Sequence, residues 1–192
     1  MGSSYTKELS AEEPTLFGFA VDHAFITGPN GMGMTDLGTL GGEDSYAYAI
    51  NDAGQAVGNS ETAGGTSHAF ITNPNGMGMT DLGTLGGDYS FAYGINDSGQ
   101  VVGGSHTADG TWHAFMTGPN GVGMIDLNSI ADLPSGFYLS DAQGINNRGQ
   151  IIATISSPIP EPASYALMLA GLGLVGFMAR RKKPTDSIVA RG

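Results

Sequence analysis

Up to about residue 157, apolar residues fall in short runs, each closed by Gly, Asn, Asp or Pro. Runs of that length between turn residues predict β-strands rather than long helices. The runs also recur. His23-Ala24-Phe25 returns as His68-Ala69-Phe70 and as His113-Ala114-Phe115, a period of 45 residues. Residues 23–67 and 68–112 are identical at 34 of 45 positions. The third copy keeps HAFMTGPNGVGMIDL, then diverges from Asn128 to Ser140 with a net insertion of five residues. A period of this length belongs to stacked or radial repeat architectures.

The unit predicts four strands. The first is Tyr46–Ile50, or Phe91–Ile95 in the second copy, followed by an Asn-Asp-x-Gly hairpin turn at Asn51–Gly54 and Asn96–Gly99. The second is Gln55–Ser60 or Gln100–Ser105, and the third is the His-Ala-Phe-Ile-Thr run. A Pro-Asn-Gly turn, Pro29–Gly31 or Pro74–Gly76, leads to the fourth, Met34–Leu40 or Met79–Leu85. Gly41-Gly42 and Gly86-Gly87 then connect to the next unit. Four antiparallel strands in 45 residues match a propeller blade in length. The expected fold is therefore all-β and β-propeller-like. The chain opens with strands three and four of a unit, Val21–Leu40, and closes with strands one and two, Gln143–Ile155. Joined, these halves would make a third blade, short of the ~4–8 of a closed ring. The expectation is a fragment, or an open array that pairs with a second copy as a homo-oligomer.

The pattern changes beyond residue 157. Ala163–Ala179, ASYALMLAGLGLVGFMA, is 17 residues without a charge. As a helix it spans about 25 Å, the short end of what crosses a bilayer. Arg180, Arg181, Lys182 and Lys183 follow at once, and such a basic cluster marks the cytoplasmic membrane boundary, leaving the long N-terminal body outside. Ahead of the run, Pro160, Glu161 and Pro162 hold the backbone extended and forbid an earlier helix start. The organisation read from the chain is a disordered or truncated N-terminus at 1–15, β repeats at 16–157, a terminal segment at 158–183 with a transmembrane helix at 163–179, and a cytoplasmic tail at 184–192. Met1–Ala20 holds one base, three acids and one short apolar patch, Leu16–Ala20, which is not a secretory signal. A truncated or mis-assigned start is the expected reason.

Charge sharpens this division. The formal net charge is −11, yet residues 1–158 carry 16 acids against two bases, Lys7 and Arg148. A body so acidic repels phosphate backbones, which excludes nucleic acid as the expected partner. Gly reaches 32 residues, consistent with a core reached through many turns. Cys is absent, so disulfides and thiolate metal sites are excluded.

Candidate chemistry is sparse. His23, His68 and His113 occupy equivalent positions and in a radial array would form a ring fit for zinc or copper. Repetition of one strand residue when the unit was copied explains them better, and HExxH is absent. Asn51, Asp52, Asn96 and Asp97 suggest a Ca²⁺ loop, but their spacing fails the EF-hand pattern and suits turns. Asp36, Asp81 and Asp126 repeat as a weak cation surface. No GxSxG elbow and no GK[ST] phosphate loop occurs. Tyr48, Phe91, Tyr93 and Trp112 offer rings for sugar stacking, or strand packing. No catalytic residue, metal or cofactor is expected.

The order Pro-Glu-Pro, apolar span, basic cluster at residues 159–183 resembles the PEP-CTERM sorting signal of Gram-negative bacteria. In that family the signal is recognised and cut by an exosortase, a membrane-embedded cysteine protease or transpeptidase, in connection with exopolysaccharide and biofilm. The resemblance implies that Pro160, Glu161 and Pro162 are the recognition element. The tail Pro184–Gly192 departs from the pattern, which normally ends soon after the bases. The phrases HAF, DLGTLGG and IND-x-GQ-x-VG resemble the HAF family of bacterial extracellular repeats over residues 16–155. Together these imply a protein held in the inner membrane during sorting, single-pass with its body outside the cytoplasm, then moved to the cell surface or beyond. Its expected partners are an exosortase, the lipid bilayer and extracellular polysaccharide. Alternative readings are an extracellular propeller enzyme acting on glycans, and a truncated non-functional remnant. An enzyme needs a polar cluster that breaks the repeat symmetry. None is legible in the first two copies, and only Asn128–Ser140 stands apart.

Overall fold

A computed structural model describes residues 21–157. Twelve strands form four antiparallel sheets in chain order. A two-stranded sheet joins β1 (Phe25–Ile26) to β2 (Thr35–Asp36). The first complete unit is a meander of β3 (Gly41–Ile50), β4 (Ala56–Thr62), β5 (Ser67–Thr72) and β6 (Met79–Asp81). The second is a meander of β7 (Gly86–Ile95), β8 (Val101–Thr107), β9 (Trp112–Thr117) and β10 (Met124–Asp126). A two-stranded sheet of β11 (Tyr138–Ile145) and β12 (Ile151–Ser156) closes the array. The four-stranded unit is thus the one the repeat predicts.

Three details differ from the sequence reading. Gly41-Gly42 and Gly86-Gly87 are not connectors but the first residues of long strands, with Gly41 paired to Thr62 and Gly86 to Thr107. The fourth strand is shorter than expected. After Asp36 and Asp81 the chain leaves the ladder, because each carboxylate turns the backbone by accepting from the N–H two residues on, at Gly38 or Gly83. The two half units do not join into one sheet. They remain separate two-stranded sheets at the two ends of the array.

Each sheet packs on the next. Ala24 and Leu37 of the first segment meet Ala56 of the first full unit. Val57, Ala69 and Ile71 of that unit share a core with Ala92, Val101 and Phe115 of the next. Val102, Ala114 and Leu127 then pack with Ala142 of the closing sheet. Strands β4 and β8 are central in their sheets and buried along most of their length. They therefore use small residues, and Gly58 and Gly103 sit where a Cβ would run into the carbonyl oxygens of Tyr46 and Phe91. At the tips, Asn30, Asn75 and Asn120 adopt positive φ, each followed by a Gly that does the same. This is what a tight Asn-Gly hairpin demands.

The Asn-Asp-x-Gly turns do more than reverse the chain. Asn51 Oδ1 accepts from the N–H groups of Ala53 and Gln55, while its Nδ2 donates to Gln55 Oε1 and, across to the next unit, to the Asn96 carbonyl at 3.1 Å. Asn96 repeats the pattern and donates to the Asn146 carbonyl at 3.1 Å. One buried amide per turn thus helps to fix the unit-to-unit register. Asn96→Ala should lower stability by about 1–3 kcal/mol, since it leaves buried partners unpaired. The midpoint of urea denaturation of the full chain measures this, and an unchanged midpoint would contradict the stapling role.

Candidate functional site

The three histidines do not meet. Each belongs to a different unit, His23 just ahead of β1, His68 in β5 and His113 in β9, and its Nδ1 bonds the Asp thirteen residues on: His23 to Asp36 at 2.9 Å, His68 to Asp81 at 2.9 Å, His113 to Asp126 at 2.7 Å. A ring of imidazoles is therefore not formed, and among the described residues no group of three or more His, Cys, Asp or Glu is placed to hold a metal ion. The same Asp accepts from the backbone at the end of the fourth strand, so each pair ties strand three to strand four. An acyl-transfer site would add a nucleophile at Nε2. At His68 that neighbour is the Thr66 hydroxyl at 3.4 Å, itself engaged with Thr62 Oγ1 at 2.9 Å.

The hydrogen bond that His23 donates to the Asp36 carboxylate raises His23 above its ordinary 6.5, against a smaller opposing effect of desolvation, and lowers Asp36 below 3.8. Because the folded His23 value lies above 6.5 and the folded Asp36 value below 3.8, the pair's contribution is full between 3.8 and 6.5, fades as pH rises through the folded His23 value and is lost again as pH falls through the folded Asp36 value. An NMR titration should find His23 above 6.5, and Asp36→Asn should return it toward that value. A His23 midpoint unmoved by the substitution would refute the assignment of cause.

The acidic turn residues are likewise occupied by structure. Asp52 N–H donates to Asp97 Oδ1 at 3.2 Å, and Asp97 N–H to Asn147 Oδ1 at 2.9 Å. These are rungs between units rather than an ion-binding loop. Among the aromatic candidates, Tyr48 and Tyr93 pack at a tilt across adjacent units with centroids 5.9 Å apart, and burial raises both phenols above 10. Phe91 and Trp112 form a second pair, 5.5 Å apart, and Trp112 Nε1 donates to Asp141 Oδ1 at 2.8 Å. His106 lies edge-on to Trp112 at 4.9 Å and to Tyr89 at 5.7 Å.

Beside this aromatic group lies a feature that reading the copies one by one misses. Asp44, Tyr46, Asn59, Glu61, Gly65, Ser67 and Tyr89 line a cavity of about 230 Å³ on the first complete unit. Eleven positions differ between the first two copies. Five of them are Asp44/Tyr89, Tyr46/Phe91, Asn59/Gly104, Glu61/His106 and Ser67/Trp112, and all five fall on this cavity or on its counterpart one unit later. The symmetry break sought in Asn128–Ser140 is therefore here. The signal that finds it is the list of mismatches projected onto strand positions.

The remaining site residues, Pro160, Glu161, Pro162, Arg180, Arg181, Lys182 and Lys183, lie outside the described residues, as does the apolar run 163–179. Among the described residues no helix is long and apolar enough to cross a membrane. Comparison with family models decides what the C-terminal order means. Residues 158–182 are a PEP-CTERM protein-sorting motif. The PEP-CTERM motif implies an exported protein that is processed by an exosortase and sorted to the membrane or cell surface. Comparisons with curated proteins and with solved structures gave no match.

Proposed function

We propose that this chain is a non-catalytic surface or matrix protein. Its body is displayed outside the cytoplasm on a C-terminal anchor, passed through an exosortase, and associates with extracellular polysaccharide in a biofilm. The observation that carries the reading is the PEP-CTERM motif placed directly after a repetitive β body. In this reading Ala163–Ala179 crosses the inner membrane, Arg180–Lys183 stay on the cytoplasmic side, and Pro160, Glu161 and Pro162 present an extended segment to the protease. The repeats belong with HAF-type extracellular arrays, and the stacked sheets are a segment of a propeller-like assembly. A structural rather than catalytic body is supported by the histidines and repeated carboxylates, which are engaged in strand ties and turns.

The test is processing in cells. In a host with an active exosortase, the wild-type chain should lose its C-terminal segment, seen as a drop in intact mass. Glu161→Ala should leave the full-length mass in the membrane fraction. A wild-type chain that keeps its full mass whether or not the exosortase is present would overturn the proposal.

A further inference from the structure

The cavity on the first complete unit is built unlike a surface dent. Asn59 lines it, is only 7% exposed, and donates through Nδ2 to Ser67 Oγ at 2.8 Å. Its Oδ1 has no partner, and among the described residues it is the one buried side-chain acceptor in that position. A buried amide oxygen without a donor is destabilising, so it is a place where a ligand hydroxyl gains more than it would on an open surface. Two carboxylates stand nearby, each with one oxygen already engaged. Asp44 Oδ1 accepts from the Asp22 N–H at 2.8 Å and Glu61 Oε2 from the Glu43 N–H at 2.9 Å. Tyr46 and Tyr89 supply two half-open aromatic walls, 41% and 40% exposed.

The second unit shows what this place accepts. There Asn59 and Ser67 are replaced by Gly104 and Trp112, and the indole lies directly on the glycine. A Cβ on Gly104 would fall 2.7 Å from Trp112 Cε2. The indole also packs at a tilt against Phe91, the counterpart of Tyr46. The chain thus fills one copy of the site with its own ring and leaves the other open. The open copy is rimmed by acceptors, whereas the filled one carries His106 and Tyr89 at the positions of Glu61 and Asp44.

We infer that this cavity binds a single ring of a neutral sugar, presented as part of a longer glycan. An aromatic wall suits the C–H face of a pyranose, and carboxylate and amide acceptors suit its hydroxyl donors through charge-assisted hydrogen bonds. The volume lies below the ~300 Å³ at which pockets for larger ligands begin, so one ring enters and the rest of the chain lies outside. Asp44 and Glu61, within a strongly acidic body, repel uronates, sulfated sugars and phosphate-bearing rings such as nucleotides. The inference deepens the polysaccharide association proposed above, and it is tested without exosortase.

The experiment uses the full chain in a zwitterionic, sugar-free detergent, with binding measured on a panel of neutral, uronate and nucleotide-linked tetrasaccharide probes. At least one neutral member should bind saturably, and the uronate and nucleotide members should not. Asn59→Gly and Tyr89→Asp place in each unit the residue that its neighbour already carries, so the fold tolerates both, and each should weaken binding about tenfold. The double variant Asn59→Gly/Ser67→Trp copies the self-filled arrangement of the second unit and should abolish binding with circular dichroism unchanged. Binding of no neutral member, preference for the uronate, or full affinity in the folded double variant would each overturn the inference. Processing at the C-terminus proceeds in every one of these variants, so a failed sugar site and a failed sorting proposal give different results.

Discussion

Phe115→Ala is expected to destabilise the body by about 3–5 kcal/mol, the range for emptying a packed aromatic position. Phe115 is wholly buried in β9, within the core that joins the two complete units, where it contributes alongside Val57, Ala69, Ile71, Ala92 and Val101. Its ring also lies against Gly103, where a side chain would meet Phe115 Cε1 at 2.8 Å. The cavity left by alanine cannot collapse easily, because strands from two sheets define its walls and both are pinned by the Asn and Ser bonds between units. In a linear array each unit contacts only its neighbours, so weakening this seam loosens both halves. Urea denaturation of the full chain, followed by the emission of Trp112, measures the loss. The control is Phe25→Ala. Phe25 holds the same place in the repeat but is 52% exposed on the short end sheet, and its loss should cost under about 1 kcal/mol. Equal costs for the two substitutions would contradict this account of the core.

A second substitution, Gly103→Ala, should be at least as damaging although it adds one methyl group. The new Cβ would collide with the Phe91 carbonyl oxygen, a backbone atom that cannot swing away. Strands β7 and β8 pair here, Ala92 opposite Gly103, and a register shift follows between Ala92 and Gly94. Relief requires the two strands to separate at the centre of a buried sheet, so the expected cost is about 3 kcal/mol or more. Gly58→Ala should behave alike against Tyr46. Gly110→Ala is the contrast. It has positive φ and open space around it, so only backbone strain of about 1–2 kcal/mol is added. Thermal melts of the three variants rank them, and a Gly103→Ala melt near wild type would remove steric contact as the reason for glycine in the Val-Gly pair.

Buried serines form a third set of ties. Ser45 Oγ accepts from the Ala24 N–H at 3.0 Å and Ser90 Oγ from the Ala69 N–H at 2.8 Å, each linking the His-Ala-Phe strand to the first strand of the next unit. Ser60 and Ser105 accept from the Leu40 and Leu85 N–H groups, both at 2.9 Å. None of these serines belongs to a motif that suggests a role. As residues they look like ordinary polar strand positions. Their function follows from full burial between stacked sheets, where an otherwise orphaned N–H needs a partner.

Much of the architecture is local and therefore readable along the chain. The Asn-Gly and Asn-Asp-x-Gly turns and the four-strand unit follow from φ preferences and short apolar runs, which act over a few residues, whereas the strand ends at Gly41 and Asp36 were set by pairing to Thr62 and by a carboxylate turn. The sorting motif is local as well, since a Pro-Glu-Pro element, an apolar run and a basic cluster are read within a few residues of one another. Contacts between units are different in kind. Whether three equivalent histidines converge or stand apart, whether two half units share a sheet, and which differences between copies share one cavity depend on how sheets pack across 45 or 50 residues of chain. Tertiary packing placed the histidines in separate strand ties and left the half units at opposite ends. It also gathered Asp44, Tyr46, Asn59, Glu61 and Ser67 around an open space that Trp112 fills one unit later.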